Sequence, residues 1–322
     1  MRLIGNTVGQ TKRTAKPAVL LEGHAGGGTI TGMGIVSWNM NHARRSVQAR
    51  KDAWTFLREE LRADLVLAQE ASPPPGSNAV YRAIDDKDRN YRWGSAIVAL
   101  NPALALNART RIAAPTCFAR APKADELPDT HPGACAVADV LGKGGRRLFT
   151  AISLYGQWEM MPGSKDMSAA PRVHRMLSDL TGILAYPRRG PVVLAGDLNL
   201  TTQCSEDPRA IAAANEAALV FQRLRTWQLV DCIAATGQSR QCLPACACLD
   251  RPCSHIQTYR HNNSVRSNPT QFDYSFVSAA LQPALTKCEV VDTDAAWKRS
   301  DHCPILLELG DPVAPVKATK AG

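Results

Sequence analysis

The stretch that says most about the fold is Pro-Val-Val-Leu-Ala-Gly-Asp-Leu-Asn at positions 191–199. Its apolar residues lie between Pro191 and Gly196, and a short apolar run between turn residues is typical of a strand buried on both faces. Asp197 and Asn199 follow directly. The pattern therefore predicts a buried strand whose end presents an acid and an amide.

The same pattern recurs along the chain. Strands are predicted at 34–39, 64–70 and 147–155, and they end in Asn39, Glu70 and Tyr155 respectively. Two further strands, 272–278 and 305–309, begin near Asp273 and shortly after the pair Asp301-His302. Side chains at strand ends are held rigidly and often face a cleft, so we expect these groups to form a functional site.

Helical spacing of apolar residues predicts helices over about 46–62, 170–185 and 208–225. No composition break or internal linker separates residue 34 from residue 310. The fold class expected is α/β, as one domain at 34–310 in which two sheets pack together with helices outside.

The ends of the chain differ from this domain. Residues 1–33 are basic and rich in glycine, which predicts a disordered arm, and residues 311–322 form a short Ala/Lys/Pro tail. The apolar run near Leu20 is too short for a signal peptide core, and no run is long enough for a membrane helix. We therefore expect a cytoplasmic protein without membrane contact, and no obligate protein partner is indicated.

The polar groups at the strand ends suit metal-assisted chemistry. Mg²⁺ takes oxygen ligands from one or two carboxylates together with substrate phosphate. Glu70, with Asn39 and Asp301 nearby, is the predicted metal set. Asp197 and His302 are predicted to handle the proton of a water molecule and the charge that develops on phosphorus.

The ordered set of motifs resembles the endonuclease/exonuclease/phosphatase superfamily. In chain order the motifs are Trp-Asn-Met-Asn (38–41), Gln-Glu (69–70), Leu-Tyr-Gly (154–156), Gly-Asp-Leu-Asn (196–199), Asp-Tyr (273–274) and Ser-Asp-His-Cys-Pro (300–304). The resemblance implies a four-layered α/β sandwich, with two mixed β-sheets packed face to face and helices outside. It also implies cleavage of a phosphate ester with Mg²⁺ or Mn²⁺.

The resemblance also implies a role for each residue of the site. Glu70 would be the main metal ligand, assisted by Asn39 and Asp301. Asn199 and Tyr155 would bind the scissile phosphate. Asp197 would position or deprotonate the attacking water, and His302, oriented by Asp273, would stabilise the transition state. Whether Asp197 or His302 is the general base stays open.

The substrate class is less strongly indicated. The superfamily acts on nucleic acids, phospholipids and small phosphates, and fold does not choose among them. The formal net charge of +9 favours a polyanion. Arg44 and Arg45 follow the first motif, and Tyr259, Arg260 and His261 mix groups that contact phosphates and stack on bases.

These features favour a DNA endonuclease, with a phosphatase or phosphodiesterase for a phospholipid or small phosphate ester as the alternative. A solvated loop is the competing interpretation of 255–261. The motifs are also similar to the abasic-site endonuclease branch, but Thr270 stands where that branch carries a tryptophan. A general DNA nuclease is therefore favoured over an abasic-site enzyme, and an inactive binding module is disfavoured because the catalytic set is intact.

A cysteine cluster lies in a polar insertion at about 236–270. Its members are Cys242, Cys246, Cys248 and Cys253, with His255 next to them. Zn²⁺ prefers four Cys/His ligands in a tetrahedron, so the cluster is a possible structural zinc site. Free thiols in a mobile loop and disulfides are the alternatives.

Overall fold

The computed structural model describes residues 32–84, 93–113, 126–160, 163, 166–185, 190–203, 206–236, 255–261 and 270–310. Its framework is a pair of six-stranded sheets. In each sheet one pair of central strands runs parallel and the other pairs run antiparallel, so both sheets are mixed.

The first sheet contains the strands that begin and end the described chain. In spatial order its strands are β15 (Leu285–Val290), β16 (Ile305–Leu309), β1 (Met33–Asn39), β2 (Leu65–Ala71), β4 (Gly94–Ala99) and β3 (Asn78–Ala83).

The second sheet contains the buried strand predicted within residues 191–199. In spatial order its strands are β13 (Leu229–Asp231), β14 (Asp273–Ser278), β12 (Val192–Asp197), β9 (Arg147–Tyr155), β8 (Cys135–Leu141) and β5 (Ala105–Ala108). Two small two-stranded sheets accompany it, one of β6 (Thr110–Ala113) with β7 (Glu126–Asp129), the other of β10 (Glu159–Met160) with β11 (Met167–Ser168).

Helices cover the outer faces of both sheets. They are α1 (Val47–Thr55, extended by a π-helical turn at Phe56–Glu60), α2 (Ala170–Asp179), α3 (Thr181–Leu184), α4 (Pro208–Thr226) and α6 (Asp294–Arg299). The short helix α5 (Cys232–Ala235) instead contributes Cys232 and Ile233 to the core between the two sheets. Short 3-10 turns occur at His42–Arg44, Lys143–Gly145 and Gln282–Ala284.

Alternation along the strands produces three apolar layers. In β2, Leu65 and Leu67 face the second sheet, while Val66 and Ala68 face α1 and α6. In the second sheet, Ile152 and Leu194 face α2 and α4 on the opposite side. Each sheet is therefore buried on both faces, and helix, sheet, sheet and helix form a four-layered sandwich, as predicted.

The predicted helices and buried strands are present, with some corrections. The helix expected over 170–185 is interrupted at Leu180, because α2 ends at Asp179 and α3 begins at Thr181. The first strand begins at Met33, one residue before the predicted domain boundary. Most of the predicted arm, the tail 311–322 and residues 237–254 and 262–269 of the predicted insertion lie outside the described residues.

Among the described elements, no helix is long and apolar enough to cross a bilayer.

Candidate active site

The polar ends of the central strands meet at one edge of the sandwich. In the second sheet, Asp197 is paired in register with Tyr155 on one side and with Asp273 on the other. In the first sheet, Asn39 is in register with Gln69, the residue before Glu70. The segment 300–302 leads into β16, which pairs with β1. Residues far apart in sequence are thereby brought together.

Glu70 reaches this site through an irregularity in β2. Regular alternation would point it toward the helices, on the side of Ala68. Instead Glu70 has a φ of 47°, and the register of β2 against β4 shifts between Ala68 and Ala71. This bulge turns the carboxylate toward the second sheet, where the Tyr155 hydroxyl donates a hydrogen bond of 2.6 Å to Oε1.

Asn39 connects the carboxylates of the two sheets. Its Nδ2 donates to Glu70 Oε1 at 3.2 Å and to Asp197 Oδ2 at 2.9 Å. Its Oδ1 accepts the Asn41 backbone N–H at 3.0 Å, which fixes the direction of the amide. Asn39 therefore offers an N–H to the carboxylates, and it would present oxygen to a metal only if the amide turned over.

Asp197, His302 and Asp273 form a buried row. His302 Nδ1 lies 2.8 Å from Asp273 Oδ2, and His302 Nε2 lies 3.8 Å from Asp197 Oδ2. The ligand atoms of the three residues lie within 4.8 Å of one another. Since Asp273 holds the Nδ1 side, the Nε2 side of the ring faces Asp197 and the site.

The surroundings shift the protonation of this row. Burial raises the pKa of Asp197 to about 8, against the opposing charge of His302. Burial disfavours a charge on His302, but the facing carboxylates of Asp273 and Asp197 outweigh it and raise the pKa of His302 to about 10. The row therefore retains protons more strongly than isolated side chains do, and the carboxylates favour the imidazolium form of His302.

Asn199 and Tyr155 border the row. Asn199 has a φ of 50°, and it donates from its backbone N and from Nδ2 to the two oxygens of Asp197, at 2.8 and 3.1 Å. Burial and the charge of Glu70 raise the pKa of Tyr155 well above its ordinary value. Its hydroxyl therefore stays protonated and remains a hydrogen-bond donor.

Asp301 lies on the first-sheet side of the site. Its Oδ1 accepts from Asn41 Nδ2 at 2.8 Å. Ser300 Oγ donates to the Asn39 carbonyl at 2.7 Å, and Trp38 Nε1 donates to the His302 carbonyl at 2.9 Å. These bonds fix segment 300–302 against the end of β1.

The residues predicted to bind nucleic acid occupy different positions around this edge. Tyr259 packs against His302 with ring centroids 4.8 Å apart, and the Tyr259 hydroxyl lies 3.1 Å from Nδ1 of the exposed His261. Arg260 instead stacks on Trp297 at 3.9 Å and pairs with Asp292 at 3.5 Å. Arg44 is exposed, while Arg45 is half-buried.

The four cysteines of the predicted zinc site, Cys242, Cys246, Cys248 and Cys253, lie outside the described residues. His255 is described, and its Nε2 lies 2.8 Å from Thr202 Oγ1. It lines a cleft of about 620 Å³ beside α4 and α5, and Asp197, His302 and Asp273 do not line that cleft. Zinc remains a prediction, and elemental analysis of the purified protein measures it directly.

Sequence reasoning did not assign a role to three residues that the structure places at the site. Asn41 stands inside the first motif, so its spacing was available as a signal. Trp158, whose Nε1 donates to Asn199 Oδ1 at 2.7 Å, follows Tyr155 by three residues. Buried Thr258 accepts the backbone N–H groups of Phe272 and Asp273, at 3.0 and 3.1 Å, and no sequence pattern marks it.

The family model of the endonuclease/exonuclease/phosphatase family matches residues 36–302. This span covers most of the chain and all of the site, and the chain belongs to this family. The protein is therefore a hydrolase acting on phosphate ester bonds. Enzymes of this family generally use a divalent metal ion.

Solved structures of nucleases share the fold at low sequence identity. An AP endonuclease from Archaeoglobus fulgidus is 16% identical with a TM-score of 0.56, and the match covers 87% of this chain and 99% of that one. The AP endonuclease LMAP from Leishmania major is 16% identical with a TM-score of 0.59, over 88% of this chain and 89% of that one. A 3′-5′ exonuclease from Neisseria meningitidis is 19% identical with a TM-score of 0.56, over 86% and 100%. No curated protein matches the chain.

Proposed function

We propose that this protein is a Mg²⁺-dependent phosphodiester hydrolase that cleaves nucleic acid, and specifically a DNA endonuclease. The observation that carries the proposal is the buried row Asp197–His302–Asp273, which lies next to Glu70 and Asn199 at one edge of the sandwich. The row supplies a proton acceptor, and the neighbouring groups supply donors for a phosphate.

The roles of the residues follow from these contacts. Asp197 or His302 accepts the proton of the attacking water, and Asp273 positions the ring of His302. The amide of Asn199 and the hydroxyl of Tyr155 are donors beside Asp197, which suits them to hold the oxygens of the scissile phosphate. When the P–O bond breaks, the leaving oxygen needs a proton, and the imidazolium form of His302 is a donor for it.

The side chains present fit a hard divalent cation. Four carboxylates border the site: Asp197 and Asp273 face His302, Glu70 accepts from Asn39, and Asp301 accepts from Asn41. Asp197, Asp273 and Asp301 are buried, and buried charges are normally paired or bound to metal. Asp273 Oδ1 is buried, and no donor from the described residues reaches it. Glu70 and Asp301 would hold the ion, with Asn39 beside them. The ion would polarise the phosphate and neutralise charge on it. Mn²⁺ has the same preference for oxygen ligands and would substitute.

Charge favours nucleic acid over the alternative substrates. The chain carries 38 Lys and Arg against 29 Asp and Glu. The exposed Arg44 lies on the turn directly after Asn41, and its charge opposes the rise in the pKa of Tyr259 that burial and nearby carboxylates produce. The charge of Arg44 thus acts on Tyr259, whose ring packs against His302, and a cation and an aromatic ring are the groups that phosphate and base contacts use.

A nuclease panel tests the proposal. Purified protein is incubated with single- and double-stranded DNA, abasic DNA and RNA, in Mg²⁺, Mn²⁺ or EDTA. We expect cleavage of DNA that EDTA abolishes. Asp197→Ala and His302→Ala should each lower the rate by roughly 1,000-fold or more while retaining the circular dichroism spectrum. His174→Ala is the matched control. His174 is half-buried on the outer helix α2, so this variant should retain activity.

Two results would reject the proposal. Activity retained in both Asp197→Ala and His302→Ala would show that the row does not perform the chemistry. Hydrolysis of phospholipid or small phosphate esters without cleavage of any nucleic acid would establish the alternative substrate class instead.

A further inference from the structure

Trp158 is unusual among the tryptophans of this protein. All six lie within the described residues, and Trp158 alone is classed as exposed, with 42% of its surface accessible. Trp38, Trp54 and Trp297 are buried. An indole left in water contributes little to folding, whereas tryptophan is well suited to stacking on a flat ligand.

Trp158 also contacts the site through a specific hydrogen bond. Its Nε1 donates to Asn199 Oδ1 at 2.7 Å, while Asn199 Nδ2 faces Asp197 at 3.1 Å. The indole N–H therefore fixes which end of the Asn199 amide points to Asp197. A phosphate oxygen is an acceptor, so the NH₂ group is the end that must face the substrate.

The ring of Trp158 is the first of four aromatic rings that pack in series, and these rings form an aromatic series. It packs edge-on against Phe272 with centroids 6.0 Å apart, and Phe272 packs against Tyr259 at 5.1 Å. Tyr259 in turn packs against His302 at 4.8 Å. This aromatic series extends from Asn199 to His302, and these two residues lie on either side of Asp197.

This arrangement distinguishes among phosphodiesters. Only a nucleotide places a flat aromatic group next to the phosphodiester, since acyl chains are not planar and small phosphates lack such a group. Base stacking on aromatic side chains is a general mode of single-strand binding. In a duplex the bases are already stacked and paired, so their faces are not accessible to a side chain.

We propose that Trp158 stacks on an unpaired base next to the scissile phosphate and that its indole N–H orients Asn199 toward that phosphate. This inference rests on the proposed nuclease function and narrows its substrate to single-stranded or unpaired segments. Trp158 is thus both a base-binding and a positioning residue.

Binding is measured in an Asp197→Asn background without divalent metal, by fluorescence anisotropy of a labelled single-stranded oligonucleotide. Adding Trp158→Ala should weaken binding by roughly 10-fold or more, while Trp158→Phe, which keeps a ring, should retain most of it. Met160→Ala is the control, because Met160 lies two residues after Trp158, in β10, with 68% of its surface accessible. It should change binding less than twofold.

Replacing the bases of the central nucleotides by abasic sites should weaken binding to the protein with Trp158, but not to the Trp158→Ala variant. Equal binding by Trp158→Ala and Trp158 proteins, or tighter binding of the abasic strand, would overturn the stacking role. Preference for the fully paired duplex would overturn it as well.

The orienting role is tested by kinetics. Trp158→Phe removes the indole N–H and keeps an aromatic ring, so kcat should fall by roughly 10-fold with KM much less affected. In an Asn199→Ala background the same substitution should have no further effect on kcat. An unchanged kcat in Trp158→Phe would overturn this role. Absence of wild-type cleavage of any nucleic acid would instead reject the proposed function itself, so the two failures are distinguishable.

Discussion

At the scale of single residues, the protonation of His302 depends on one close carboxylate. Burial opposes a charge on the ring, and Asp273 Oδ2, 2.8 Å from Nδ1, is the strongest of the groups that outweigh it and raise the pKa of His302 to about 10. Asp273→Asn removes this anion and keeps the shape of the side chain. In metal-free protein the pKa of His302 should therefore fall, and an NMR titration of the ring nitrogens measures it.

The exposed Asp52 provides the control, since Asp52→Asn should leave the titration of His302 unchanged. If the midpoint for His302 stays the same in Asp273→Asn, the carboxylate does not hold the imidazolium. Activity of Asp273→Asn should also fall, by roughly 100-fold, because the ring loses its orientation.

A second buried histidine has the opposite behaviour. His42 Nδ1 accepts the backbone N–H of Ser72 at 3.0 Å, so the neutral ring links the segment after Asn41 to the segment after Glu70. Burial and the nearby Arg50 lower the pKa of His42 from 6.5 to about 3. Below pH 6.5 the unfolded chain therefore binds a proton that the folded protein does not.

This difference gives a pH-dependent stability. A lowered folded pKa contributes stability above pH 6.5 that is lost as the pH falls toward 3. Between pH 6 and pH 5 the free energy of unfolding of wild type should fall by up to about 1.4 kcal/mol more than that of His42→Gln. Urea denaturation at both pH values measures it. Parallel decreases in the two proteins would contradict the prediction.

At the scale of secondary-structure elements, β12 and β9 approach closely just before Asp197. Gly196 has a φ of 155°, and a Cβ there would lie 1.9 Å from the Leu154 carbonyl oxygen. Gly196→Ala must separate the two strands, and it should lower the free energy of unfolding by roughly 3 kcal/mol or more and reduce activity. Urea denaturation, with the soluble yield, provides the measurement.

Gly144→Ala is the matched comparison for this prediction. Gly144 also has a positive φ, of 73°, but no atom lies within 4 Å of the added Cβ. This variant should lose only about 1 kcal/mol from backbone strain. Similar losses in the two variants would mean that the close approach of β12 to β9 is not what requires glycine.

Elements with strong local signals were predictable, and elements stabilised by their neighbours were not. Strands β1, β9 and β12 are apolar runs that end in a polar residue, and in β2 the polar pair Gln69-Glu70 comes just before the end, so the sequence alone marks them. Strand β5 is an edge strand with mostly exposed side chains, and it forms because β8 supplies its hydrogen bonds. No alternation of polar and apolar residues in its sequence indicates that pairing.

The site also combines features that its local sequence predicts with features that only neighbouring elements determine. The identities of its acids and amides could be predicted because they follow buried strands. The left-handed turn at Glu70 could not, since it comes from a register shift against β4. Nor could the bond from Trp158 to Asn199, which depends on how a hairpin packs rather than on any periodicity.

At the scale of the whole molecule, the net charge is positive, whereas the candidate site is acidic. The chain has a formal charge of +9, whereas the carboxylates of Glu70, Asp301, Asp197 and Asp273 border the site. If the substrate is a polyanion, as proposed, cations around the site would hold it, while the proposed metal ion would neutralise the acidic centre. Arg44 is one of the arginines predicted to bind nucleic acid. It is exposed to solvent and lies two residues after buried His42, close in sequence to Asn41 of the site.

Binding of DNA should accordingly weaken as salt rises, because each phosphate contact releases condensed counterions. For Arg44→Ala we expect the slope of log affinity against log salt to become shallower by about 0.7–0.9, the contribution of one phosphate contact. The comparison is Arg146→Ala. Arg146 is exposed at the start of β9, and the strand separates it by about 25–30 Å from Tyr155 at the site edge. Both variants lose one positive charge. A shallower slope only in Arg44→Ala would assign the phosphate contact to the site edge. Equal slopes in the two variants would mean that the overall charge alone attracts the substrate.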